Sequence, residues 1–119
     1  MTSPAPQAPE VADSVRALCA RVLTPNTYRI PGSEVRETTN LLCGHVRLLL
    51  REPGDGTQAR TDAELLLSHG PGEGRLGAWI HMRALARVCR VLLTERQMRR
   101  KRGSEAGHAQ HGTNVVAAQ

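Results

Sequence analysis

Two aromatic residues, Tyr28 and Trp79, are all that this chain offers to the interior of a fold, and Phe is absent. Aromatic side chains normally supply the largest blocks of buried surface. Here the core has to be aliphatic, built from Leu, Val and Ala, with Ile only at Ile30 and Ile80. Leu and Ala favour helix, whereas strands draw on β-branched and aromatic residues. The scarcity of aromatics therefore points to an all-α fold. With 119 residues the chain makes one domain. A core of that size closes with little margin.

Apolar spacing and breakers divide the chain into four helices between disordered ends, a small up-down bundle. Residues 1–10 hold Pro4, Pro6 and Pro9 and read as a disordered tail. The first helix fits 11–23, with Val11, Val15, Leu18 and Val22 on one face and Pro25 ending it. The second begins after Ser33, a good N-cap, with Glu34 and Glu37 in the first turn. Val35, Leu42, Val46 and Leu49 share a narrow arc, flanked by Cys43 and Leu50, and Arg36, Asn40, Gly44, Arg47 and Arg51 fall opposite. Leu41, His45 and Leu48 sit beside the stripe, so this helix has room for a second neighbour. The third helix fits 59–69, with the capping-box pair Thr61 and Glu64, apolar Leu65, Leu66 and Leu67, and Gly70 at its end.

The fourth helix fits Leu76 to Arg100. Ala78, Met82, Leu85, Cys89 and Leu92 repeat in steps of four and three, a heptad-like seam suited to a bundle or a helical partner. Arg83, Arg87 and Arg90 line the other side, and Trp79 sits one turn before Arg83, close enough to stack on it. Residues 103–119 read as a second disordered tail, which leaves 11–102 as the helical domain.

The formal net charge is +5, and the basic residues are 15 Arg and one Lys, Lys101. That ratio matches a GC-rich genome better than any folded site. The excess is concentrated late: up to Leu93, 11 Arg stand against 9 acidic residues, while from Thr94 on 5 basic residues stand against 2 acidic ones. The run Arg99-Arg100-Lys101-Arg102 is the feature that most resembles a functional site, because clustered cations release counterions from a phosphate backbone. Nothing nearby supplies base readout or stacking, and cations at a helix C-terminus also stabilise the helix itself. Arg83, Arg87 and Arg90 carry the same two readings.

Cys19, Cys43 and Cys89 are too few and too scattered for a disulfide framework or a zinc site, and read as reduced core thiols. Cys43 and His45 point to different sides of a helix, which disfavours both a metal pair and a nucleophile–base pair. His108 and His111 belong to the tail. The loop Gly70-Pro71-Gly72-Glu73-Gly74 lacks the Lys-Ser/Thr of a phosphate loop and reads as a turn. Paired carboxylates and a Ser/His/Asp set are missing. No catalytic, metal or cofactor residue is assigned, and an enzyme is disfavoured. Met1 to Glu10 has neither a basic nor an apolar stretch for export, and no run reaches the ~20 apolar residues of a membrane span. A cytoplasmic location without membrane contact is expected.

Leu42-Cys43-Gly44-His45-Val46-Arg47-Leu48-Leu49 resembles the Gly-His-x-x-Leu-Leu segment of a family of small actinobacterial proteins of unknown function, often labelled "natural product biosynthesis protein". Gly72-Glu73-Gly74-Arg75, and Ala84 through Leu93, resemble that family's last helix. The similarity covers about residues 33–95. It implies an all-helical fold and an association with secondary metabolism, and brings no catalytic residues. The expectation is a non-catalytic accessory or regulatory protein that binds a protein partner or itself through helix two or four. The alternative is a nucleic-acid-binding regulator that uses residues 83–102.

Overall fold

The computed structural model describes residues 8–25, 29–54 and 56–117, with side chains at 11–25, 29–54 and 56–103. The chain forms α1 (Ala8–Val22), α2 (Gly32–Arg51), α3 (Gln58–His69) and α4 (Gly74–Ala117), with no strand among the described residues. It is the small all-α bundle that an aliphatic composition implies. The expected tails at 1–10 and 103–119 lie largely outside the described residues. At 8–10 and 104–117 only the helical backbone is described.

Helix α4 is the hub. The other three helices pack on it, while α2 and α3 barely touch each other. Its inward face is the heptad-like seam: Met82, Leu85 and Cys89 are fully buried, Leu92 nearly so, and Ala78 half-buried. Helix α2 brings Val35, Leu42, Val46 and Leu49 to this seam, the same four residues that its periodicity singles out. Helix α1 brings Val15, Leu18, Cys19 and Val22, the i, i+3, i+4, i+7 pattern of one helical face. Val11, expected on that face, is exposed. A buried Leu contributes roughly 1.5–3 kcal/mol through the water it excludes, and these aliphatic residues form the buried cluster, with Trp79 packed against its margin.

Helix α3 packs differently. The sequence reading assigns its apolar content to Leu65, Leu66 and Leu67, yet the residues it buries are Ala59 and Ala63. Leu66 and Leu67 are half-buried and Leu65 is exposed. Small side chains let the α3 backbone approach α4 closely, and the leucines flank the contact rather than fill it.

Three helix ends differ from expectation. Helix α2 starts at Gly32 with Pro31 as its N-cap, and the Val35 N–H donates to the Pro31 carbonyl at 3.0 Å. Ser33 therefore sits inside the first turn, because the fixed φ of proline already sets the entry geometry. Helix α3 is capped by Thr57, whose hydroxyl accepts from the Arg60 N–H at 3.3 Å. Thr61 lies one turn inside and donates its hydroxyl to the Thr57 carbonyl. Helix α4 continues to Ala117, beyond the Arg100 at which the sequence pattern ends it.

The glycine-rich segment is a turn, as its residues suggest. Gly70 closes α3 at φ 71° and its N–H donates to the Leu66 carbonyl. Gly77, in the first turn of α4, meets Gly72 backbone to backbone. A Cβ there would lie 2.5 Å from the Gly72 carbonyl carbon, so the tight α3–α4 connection requires glycine at 77.

Candidate functional site

A set of charged side chains fastens the bundle before any is left for a partner. The Arg83 guanidinium donates to the carbonyls of Val22 (3.1 Å) and Thr24 (3.0 Å), satisfying orphan groups at the C-terminal end of α1. It also stands over the Trp79 ring, 5.0 Å from its centroid, the stacking expected from their spacing. Arg60 does the same for α2, donating to Leu50 O at 2.7 Å and Glu52 O at 2.9 Å. The α2–α3 loop is then tied to α4. Glu52 pairs with Arg96 at 3.0 Å and Arg99 at 4.0 Å, and Thr57 donates to the Glu95 carboxylate at 3.0 Å. Arg16 of α1 donates to Gln97 at 2.9 Å.

These contacts divide the cations that the sequence groups together. Arg83 is half-buried against α1 and Arg99 is half-buried beside Glu52. Arg87, Arg90, Arg100, Lys101 and Arg102 are exposed. Four consecutive residues spread around a helix at 100° each, so the run does not form one face. Only Lys101 continues the line of Arg87 and Arg90, roughly 15–20 Å further along the axis at 1.5 Å per residue.

A second apolar stripe lies on the opposite side of α4 from the core. Ile80, Ala84, Arg87, Val91, Thr94 and Met98 follow one another in steps of four and three, the spacing of the buried seam. Ile80 is 53% exposed, Val91 45% and Met98 48%. Between this stripe and α3 runs an open groove of about 620 Å³, lined mainly by Leu65, Leu66, Ala84, Val88 and Val91, with Asp62 and Arg87 at its edges. The sequence reading passed over this stripe, although the same spacing rule finds it. On α2, Leu41 and Leu48 are likewise exposed, so the second neighbour for which that helix has room is not supplied by the described residues.

Cys43 is half-buried, and desolvation raises the pKa of its thiol against the opposing charge of Arg47. Cys19 and Cys89 are buried and free. The neighbouring Cys19 thiol together with burial pushes the Cys89 pKa up, holding it protonated. His45 is half-buried. Among the described residues no group of three His, Cys, Asp or Glu side chains could hold a metal ion, and no helix is long and apolar enough to cross a membrane.

One buried polar residue carries no signal in the sequence. His81 is 6% exposed, and its Nε2–H donates to the Leu66 carbonyl at 2.9 Å. A carbonyl only accepts, so in the neutral ring Nδ1 is the acceptor nitrogen, and it has no hydrogen-bond partner among the described residues. Leaving such an acceptor buried and unpaired costs about 1–3 kcal/mol.

Compared with protein-family models, residues 13–101 match a family of unknown function (DUF6415). The chain belongs to this family. The match spans the packed parts of all four helices, so the DUF6415 unit contains the whole described core and ends within the basic run, at Lys101. No curated protein and no solved structure matches the chain.

Proposed function

We propose that the protein is a non-catalytic accessory or regulatory helical protein that acts by protein–protein contact, and that the contact is with a second copy of itself along the outer stripe of α4. One observation carries this reading: the stripe repeats the spacing of the buried seam but nothing in the described chain covers it. The charges at its edges support a symmetric pair. In a two-fold interface each residue meets its complement on the other copy. Arg87 within the stripe then has Asp62 of a second molecule as a partner for its charge. Equilibrium sedimentation tests the proposal. The wild type forms a dimer and Val91→Asp is monomeric with an unchanged helical signal. A wild type that stays monomeric at every concentration overturns it.

A second reading rests on Arg87, Arg90, Arg100, Lys101 and Arg102, which are exposed with no ion-pair partner among the described residues. Such a surface suits a phosphate backbone, and binding to it weakens steeply with salt. A labelled DNA duplex at low salt tests this. Retardation that disappears when Arg100, Lys101 and Arg102 become Ala supports a nucleic-acid regulator, and no retardation removes that reading. The Arg-dominated composition and the resemblance over residues 33–95 support a cytoplasmic actinobacterial protein that serves secondary metabolism. The genes beside it are the check, and neighbours without biosynthetic enzymes would count against that role.

A further inference from the structure

The packing of α1 on α4 brings together two of the three cysteines, neither of which has a part in the proposed contact surface. Cys19 and Cys89 are both fully buried in the core that the two helices share. Three side-chain bonds fix how these helices lie. Arg16 donates to Gln97, and Arg83 donates to the carbonyls of Val22 and Thr24. As the residue number rises along α1, its counterpart on α4 falls, so the two run antiparallel. Cys19 is midway between Arg16 and Val22, and Cys89 is close to midway between Arg83 and Gln97. The two thiols therefore stand at one level of the α1–α4 contact. Packed helices have axes about 8–10 Å apart and Cα atoms about 2.3 Å from each axis, which puts facing Cα atoms about 4–6 Å apart. A disulfide spans that distance.

The electrostatics of the pair agrees with this register. Cys19 is held below the ordinary thiol pKa, chiefly by the neighbouring Cys89 thiol, with burial opposing and Arg90 assisting. Cys89 is raised, chiefly by Cys19. Of the two, Cys19 is the thiol that ionises first and so the better nucleophile. Cys43 is on α2 and only half-buried.

We propose that Cys19 and Cys89 form a reversible disulfide when the protein meets a peroxide, locking α1 onto α4. The Cys19 thiolate attacks one peroxide oxygen, the O–O bond breaks, and hydroxide leaves. The Cys89 thiolate then attacks the sulfur of the resulting sulfenic acid; the S–S bond forms, the S–O bond breaks, and a second hydroxide leaves. The proton that each thiol gives up converts one hydroxide to water. Two thiols are oxidised and one peroxide is reduced to two waters. Both residues are enclosed in the packed bundle, so the reaction takes place when α1 lifts. Among the described residues α1 packs on α4 and barely on any other helix, so lifting it breaks one main contact. Once the bond has formed, that opening is closed off until a reductant cleaves it. Neither cysteine belongs to the outer stripe, so the proposal stands whether or not the protein self-associates.

The test uses reduced full-length protein, treated with hydrogen peroxide without denaturant. Remaining thiols are alkylated and the tryptic peptides are weighed. The expected product is 17–21 joined to 88–90, two hydrogens lighter than the separate peptides and released by dithiothreitol. The treated protein should melt at least about 5 °C higher, because the bond closes a long loop. Cys43→Ser should behave in the same way, and Cys89→Ala should lose both the link and the rise. Oxidation of the exposed Met98 shows that the peroxide has acted. Four results would overturn the proposal. They are alkylated 17–21 and 88–90 in molecules oxidised at Met98, a link from either cysteine to Cys43, a link between separate chains, and a link that forms only in denaturant.

Discussion

Helix α4 has two apolar stripes of the same spacing on opposite sides, and they have different fates. On one side Met82, Leu85, Cys89 and Leu92 are almost wholly removed from solvent by α1 and α2. On the other, Ile80, Val91 and Met98 are about half exposed, bordered by α3 but covered by none of the described residues. Spacing does not separate the two: both follow the alternation of four and three, although the outer stripe admits Arg87 and Thr94 among its apolar residues. What separates them is how many neighbours the chain can supply. Three helices pack on α4, and among the described residues they leave one sector of it open. A seam in a sequence shows that one face of a helix is apolar. It does not say whether the same chain or another molecule covers it.

That difference can be tested from both sides. Leu85→Ala removes the centre of the buried seam and should cost about 2–5 kcal/mol in chemical denaturation, since the surrounding helices collapse only partly into the space. A loss near the value for a surface site would mean the core is looser than described. Arg83→Ala, which uncaps the end of α1 and uncovers Trp79, should cost about 1–3 kcal/mol, with two carbonyls left to find water. Arg83→Lys should recover less than half of the loss, because a point charge cannot span both carbonyls. On the open stripe, Ile80→Ser should change monomer stability by less than about 0.5 kcal/mol while weakening self-association. Smallest of all is the effect of replacing Arg100, Lys101 and Arg102 by Ala. The folded state should be unaffected within error, and any change should show only as loss of salt-sensitive polyanion binding.

The buried seam of α4 and the inward arc of α2 were legible residue by residue, because burial against several neighbours leaves a full-length 3.6-residue pattern. The stacking of Arg83 on Trp79 was legible for a similar reason: it is local, one turn apart. Helix α3 was misread because its contact is made by Ala59 and Ala63, and alanine is as common on exposed helix faces as on buried ones. Its leucines look like a core and are its margin. The N-caps at Pro31 and Thr57 were missed in favour of Ser33 and Thr61, since each neighbourhood offers more than one residue able to start a helix. The groove between α2 and the start of α4 was not legible at all. Arg36, Asn40 and Arg47 read as the solvated side of α2, and His81 carries no motif. Only the packing of α2 beside the first turns of α4 brings them to one concavity.

The open stripe decides between a lone molecule and a pair, and the mass in solution is its most direct measure. Light scattering after size separation, repeated across a wide range of concentration, should give the mass of a dimer for the wild type and of a monomer for Val91→Asp, with equal helicity in both. A wild type that remains at monomer mass throughout, or a Val91→Asp variant that still dimerises, would contradict it.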